Sequence, residues 1–265
     1  MKQYLAYLPG SLLLIWVVLA VASLWLPLSP EHIALEHILQ SPTLANGLGY
    51  DDLGRPVLDR LLLGARTSLA VAFAVMLISL VVGTVVGVLS AWWGGYADQL
   101  LMRITDIFLA FPGILLALAL AGLLGPGILN VVIALSVVGW VGFARLARAQ
   151  VLVVREREHL QAARALGSSQ WRCLWQHVLP LIAAPLIVEA TFAVSGLIVA
   201  EAGLSFLGLG VQPPASSWGS MLCDGARYLL VAPHLVVIPG LALMSIVLAV
   251  NLLGDQLRDR LDVKA

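Results

Sequence analysis

The chain has 265 residues, of which 60% are hydrophobic and 11% charged, and its fifteen basic and fifteen acidic side chains leave the net charge at zero. A soluble domain carries roughly 45–50% apolar and about 25% charged residues. The composition, with a mean hydropathy of +0.97, therefore excludes a soluble enzyme, a nucleic-acid binder, a disordered segment and a disulfide scaffold, and leaves lipid as the solvent of the outer surface.

About 20 apolar helical residues cross a bilayer core of about 30 Å, so charge-free windows mark the spans. The first runs from Leu8 to Leu28. Its length, its single leading Lys and the lack of a small-x-small site argue against a cleaved signal peptide. The outer segment 29–66 follows. Its second half, Asp52 to Arg66, has apolar residues at 53, 57, 58, 61, 62 and 63, which suits a short amphipathic helix lying on the membrane and leading into the second span. The second span is Ser68–Trp92, where Gly83 and Gly87 permit close helix packing. Residues 107–144 are charge-free but too long for one crossing. Gly125-Pro126-Gly127 divides them by a tight turn, giving spans 107–124 and 128–145. Asp106 is expected to pair with Arg103, three residues earlier on one helix.

The fifth span, Leu181–Ala200, contains Glu189 and has Glu201 at its far end. Segment 203–231 is half apolar but too rich in glycine to span, and is expected to dip into the protein where backbone can line a cavity. The sixth span is Ala232–Leu253. The expected fold is all-α: an integral membrane protein of six transmembrane helices, with both termini on one side. The expected organisation is a first helix and lead-in over 1–66, a transmembrane domain over 67–256 and a tail over 257–265.

Lys and Arg placement sets the orientation. With the N-terminus inside, eleven of the fifteen basic residues are cytoplasmic: Lys2, Arg103, the six arginines between 145 and 172, Arg258, Arg260 and Lys264. Both termini are thereby expected in the cytoplasm. Cys173 then lies inside and Cys223 outside, so the two cannot pair within one chain.

The cytoplasmic segment 146–180 is the most informative. Leu160 to Leu166 is strongly helix-forming, Gly167 stops it as a C′ residue, and Ser168 or Ser169 caps a second helix running to Pro180. Trp171, Leu174, Trp175 and Val178 are spaced to share one apolar face. The product is a helix, a glycine turn and a helix. Its tryptophans either rest on the membrane interface or form a plug for a partner's groove.

Gln161-Ala162-Ala163, Gly167, His177 and Leu179-Pro180 have the spacing of the EAA motif of ABC-importer permeases, which the chain resembles. Gln161 stands where Glu is usual and His177 where Ile is. Asp52 to Leu61, Phe108 to Gly113, Leu124 to Gly127, Glu201 to Pro214 and Asn251 to Arg258 are similar to stretches of the dipeptide/oligopeptide/nickel branch. The likeness covers about residues 48–262 and is greatest to the C-type permease subunit of dipeptide importers. It implies an ABC type I importer permease with a cytoplasmic coupling helix, in the bacterial cytoplasmic (inner) membrane. It implies as partners a second permease, two ATP-binding subunits and an extracytoplasmic substrate-binding protein, with no nucleic acid. ATP and Mg would be bound by the ATPase subunits, and this chain would hold no cofactor. The ATPase-coupling residues would be Gln161, Ala162, Ala163, Gly167, Ser168, Ser169, Trp171, Leu174 and Trp175.

No GxxxxGK[ST] loop, HExxH or GxSxG constellation occurs, and the five histidines are scattered. No catalytic or metal-ligand set is expected, and the chain is expected not to be an enzyme. Glu189 and Glu201 are candidates for the translocation path, because ionisable groups at depth are costly facing lipid. Hydrogen bonding to a neighbouring helix or to the sister permease is the alternative for both. The expected cargo is a peptide, with nickel, metal chelates or glutathione as alternatives. An ion-driven secondary transporter with Glu189 as its coupling site, and a membrane assembly or scaffold subunit with no transport path, are the readings from other classes.

Overall fold

The computed structural model of the chain describes residues 2–44 and 46–262; Lys264 and the end of the 257–265 tail lie outside them. Among the described residues ten α-helices appear in chain order: α1 (Lys2–Ala22), α2 (Val57–Trp93), α3 (Gly95–Leu109), α4 (Gly113–Leu124), α5 (Ile128–Val154), α6 (Glu158–Ala165), α7 (Gln170–Cys173), α8 (Leu179–Phe206), α9 (Trp218–Ala226) and α10 (His234–Asp262). A 3₁₀ turn spans Leu35–His37, and a π-helical turn, Leu174–Val178, joins α7 to α8. No strand forms among the described residues, only two isolated bridges, Thr43 with Gly47 and Tyr50 with Pro56.

Among the described residues, four helical stretches are long and apolar enough to cross a membrane: 57–93, 128–154, 170–206 and 234–261. The third expected span is broken. α3 and α4 meet at 82°, and α4 alone, 12 residues long, reaches only about 18 Å. The cause is Pro112, which lacks an N–H and disfavours helix in the residue before it. α3 was not foreseen as an element. Gly94, at positive φ, separates it from α2, and Gly95, also at positive φ, opens it; it carries Asp98, Arg103 and Asp106, so it suits the membrane interface. The first helix also differs from expectation. It ends at Ala22 rather than Leu28, because Pro27 and Pro30 close the helix off. Six spans are reached only by counting the bent pair as one crossing and α1 as another.

The amphipathic lead-in does not lie apart on the membrane. Helix α2 begins at Val57 and continues for 37 residues, about 55 Å. Val57, Leu61 and Leu62 are buried in the protein. Buried Arg60 bridges Asp51 at 2.5 Å and Asp224 at 2.9 Å, so an ion-pair chain ties this end to α9. Residues 203–231 do turn back into the protein. Gly203–Phe206 completes α8, and α9 drives the fully buried Trp218 against Trp16, ring centroids 5.1 Å apart.

α2 is the central helix and packs along α5 through small residues. A Cβ on Gly83 would stand 2.4 Å from the Trp140 carbonyl oxygen, and one on Gly87 would stand 2.2 Å from that of Ala144. The close approach expected for these glycines is therefore present. Three apolar clusters result. One, around Leu160, Cys173, Val178 and Ile182, supports the 146–180 segment; the others centre on Trp218 and on Val75.

Candidate coupling loop

Helix α5 ends at Val154, and Arg155 caps it. The Arg155 guanidinium donates to the Ala91 carbonyl at 3.0 Å, which ties the start of the loop to the end of α2. Arg157 is extended, and α6 begins at Glu158, an acidic residue on the positive end of the helix dipole. The fully buried Leu160 pins this helix to the core below. Arg164 lies over the Trp92 ring at 4.8 Å, a cation–π contact.

The glycine stop takes the expected form. Gly167 has φ +84°. Its N–H donates to the Arg164 carbonyl at 3.0 Å, and the Ser168 N–H donates to that of Ala163 at 3.1 Å. This is the paired closure of a Schellman turn, and it favours glycine at the left-handed position. Ser169 Oγ then accepts from the Arg172 N–H at 3.3 Å and caps α7. Ser168 does not serve as the cap. Two short helices are thus set by two local devices, both spelled in the residues 167–169.

The expected apolar face is divided. Leu174 and Val178 are buried, whereas Trp171 and Trp175 are each 66% exposed. The π turn over 174–178 widens the helix and separates the two rows. Leu166 is 87% exposed, and Ala162 and Gln161 are exposed as well. Gln161 folds inward at its tip, donating to the Glu156 carbonyl at 3.1 Å. Ala163 is half-buried. A small cavity of about 70 Å³ sits between Trp92, Trp93 and Trp171, where the loop meets the end of α2. From Gln170 the helix continues to Phe206 as one rod, so this loop is built on the end of a membrane span.

The two glutamates of α8 do not meet. Glu189 is exposed on the helix surface and has no hydrogen-bond or ion-pair partner among the described residues. Glu201, twelve residues on, is fully buried. It accepts from Ser68 Oγ at 2.8 Å and Ser205 Oγ at 2.6 Å. Ser205 Oγ in turn accepts from the Val211 N–H at 3.2 Å. Glu201 therefore fastens α2, α8 and the following segment together. Ser68 lies 133 residues from it, a partner that no local pattern indicates.

Sequence reasoning also missed a charged clamp on the α3–α5 seam. Arg148 donates to both oxygens of Asp98, at 2.6 and 2.7 Å, and the Ser90 hydroxyl also meets this carboxylate. The Arg148 hydrogen bond holds the Asp98 carboxyl below its ordinary range, outweighing the opposing effect of burial. Asp106 pairs with Arg145 on α5 at 2.6 Å rather than with Arg103; the bend after α3 lays that helix along α5. No cluster of three or more His, Cys, Asp or Glu is placed to hold a metal among the described residues. Both cysteines are free, Cys173 buried and Cys223 half-buried.

Residues 83–264 match the profile of the family described as binding-protein-dependent transport system inner membrane component. The chain belongs to this family. It is 38% identical over 266 residues to the glutathione transport system permease protein GsiD of Pectobacterium atrosepticum, spanning 100% of this chain and 88% of that protein. It is 39% identical over 265 residues to GsiD of Escherichia coli O6:K15:H31, spanning 99% and 88%. Among solved structures it is similar to an inward-facing form of the MetNI methionine ABC transporter, with a TM-score of 0.63 at 21% identity, over 77% of this chain and 97% of that one; this likeness shows the shared fold. The chain is accordingly an all-α, multi-pass permease subunit of an ABC importer in the inner membrane.

Proposed function

We propose that this permease forms half of the translocation path for short peptides, with glutathione, the cargo named for its relatives, as the first to test. The 158–178 loop is the coupling element. Its exposed Leu166, Trp171 and Trp175 enter a groove on one of two separate ATPase subunits, which bind ATP and Mg. This chain hydrolyses no nucleotide. A sister permease supplies the other half of the path, and an extracytoplasmic binding protein delivers the cargo. Both termini and the loop are cytoplasmic, following the placement of Lys and Arg.

The observation that carries this reading is the continuity of the loop with α8. A displacement at Ser169 moves a helical rod that runs to Phe206, while Arg155 and Arg164 move the end of α2 with it. Closure of the ATPase pair thus biases a two-state membrane element. In this scheme Gln161, Ala162, Ala163, Gly167, Ser168 and Ser169 set the shape of the lever, and Leu174 seats it. Glu189 is the α8 glutamate left to face the path or the sister permease, since Glu201 is enclosed.

The test is uptake by proteoliposomes holding this permease, its sister and both ATPase subunits. Labelled glutathione and a labelled dipeptide are offered with the binding protein. Accumulation that requires both ATP and the binding protein is expected. Uptake that needs neither and follows an ion gradient would replace this reading with the secondary-carrier one.

A further inference from the structure

A long trough opens between α1, α2, α8 and α10, enclosing about 700 Å³, a volume within the usual range of small-molecule sites. Its walls are aliphatic and aromatic, among them Leu13, Leu24, Phe73 and Met76. Thr191 lines it too, but its hydroxyl donates to the Ile187 carbonyl of its own helix at 3.0 Å and so offers the trough no free donor. Among the described residues, Arg66 is the one ionisable side chain on the lining. It is exposed and has no ion-pair or hydrogen-bond partner among the described residues.

The depth of the trough matches one leaflet. From Arg66 to Met76 α2 advances ten residues, about 15 Å, half of a hydrocarbon core of about 30 Å. The Ser29 N–H donates to Asp59 at 2.9 Å, which holds the chain just beyond α1 beside the start of α2. Leu24 and Arg66 thus share one end of the trough. At that end the unpartnered guanidinium lies at the level of the headgroups, and its planar fork suits a phosphate.

We propose that this trough is a phospholipid site, with an acyl chain along α1, α2 and α8 and the phosphate held by Arg66. In the orientation given above, the lipid belongs to the outer leaflet. Apolar walls alone would suit any helix. The unpartnered cation at one end, one leaflet from the other, selects an amphiphile with an anionic head.

The experiment is native mass spectrometry of the intact importer in mild detergent, before and after delipidation. Phosphatidylglycerol is titrated back, and phosphatidylethanolamine is titrated in parallel. One phospholipid retained per copy of this chain is expected. Arg66→Gln removes no existing contact in the protein, and it is expected to weaken phosphatidylglycerol binding about tenfold, the loss of one charge-assisted contact. Ala70→Phe narrows the trough and should abolish retention. The proposal fails if the wild-type importer retains no phospholipid, or if Arg66→Gln binds it unchanged. It also fails if a cysteine introduced at Ala70 cross-links to the sister permease, which would show a protein seated there.

Discussion

Glu201 has the surroundings of an internal fastener. Two serine hydroxyls donate to it, one from α2 and one from its own helix. Glu201→Ala leaves both hydroxyls without an acceptor and opens a void, so a destabilisation of roughly 2–4 kcal/mol is expected. Thermal unfolding of the solubilised importer measures it; an unchanged midpoint would show that Glu201 fastens nothing. Asp98 permits a test in pH. Its folded pKa is lowered by the Arg148 hydrogen bond, so its contribution is present above the ordinary value of 3.8 and disappears as pH falls through the lowered one. Asp98→Asn should therefore melt below wild type over about pH 5 to 8, with the gap closing in stronger acid. A gap that does not depend on pH would assign the effect to packing. These roles were only half legible in the sequence. The cost of an ionisable residue at depth singled out Glu189 and Glu201, but their opposite fates depend on Ser68, which is distant in the chain. Likewise Asp106 has a local candidate in Arg103, yet a bend brings Arg145 to it instead.

Elements follow composition where composition is what decides them. Helices α2, α5 and α10 contain charge-free runs, and α8 an apolar run interrupted by Glu189, because lipid demands apolar length and an internally satisfied backbone. Bends were missed, since counting charge-free residues is blind to them. Pro112 carried the signal that breaks the third span, and Pro27 the signal that shortens the first. The apolar face expected over 171, 174, 175 and 178 is divided instead, with Leu174 and Val178 buried and Trp171 and Trp175 exposed beside a π turn. Gly83 and Gly87 gave a correct reading because close packing depends on the glycines themselves. At Gly87 the neighbour is backbone, which cannot give way cheaply. Gly87→Ala should separate α2 from α5 and lower the yield of folded importer. Gly122→Ala, where nothing lies within 4 Å, should be neutral or stabilising by up to about 1 kcal/mol. Equal folded yields for the two variants would contradict the α2–α5 contact.

For the whole molecule, the charge balance that reads as zero in composition is distributed with purpose. Six arginines fall within 145–172. Among them, Arg155 and Arg164 bind the loop to α2, while Arg145 and Arg148 bind α5 to α3. The loop is thereby a stiff extension of the membrane helices, and its apolar tip faces outward. Rigid transmission through this extension is the central claim, and Gly167 is its narrowest point. Its φ of +84° is strained for most side chains; Asn and Asp tolerate it best, but Asp adds a negative charge at the carboxyl end of α6, where the helix dipole disfavours it, and beside the apolar tip. The most direct measurement is ATP-driven uptake by proteoliposomes carrying Gly167→Asp or Gly167→Asn, at matched levels of every subunit. The account predicts that Gly167→Asp stays in the membrane but loses most of its uptake, and that Gly167→Asn keeps it. Wild-type uptake by Gly167→Asp would contradict the lever.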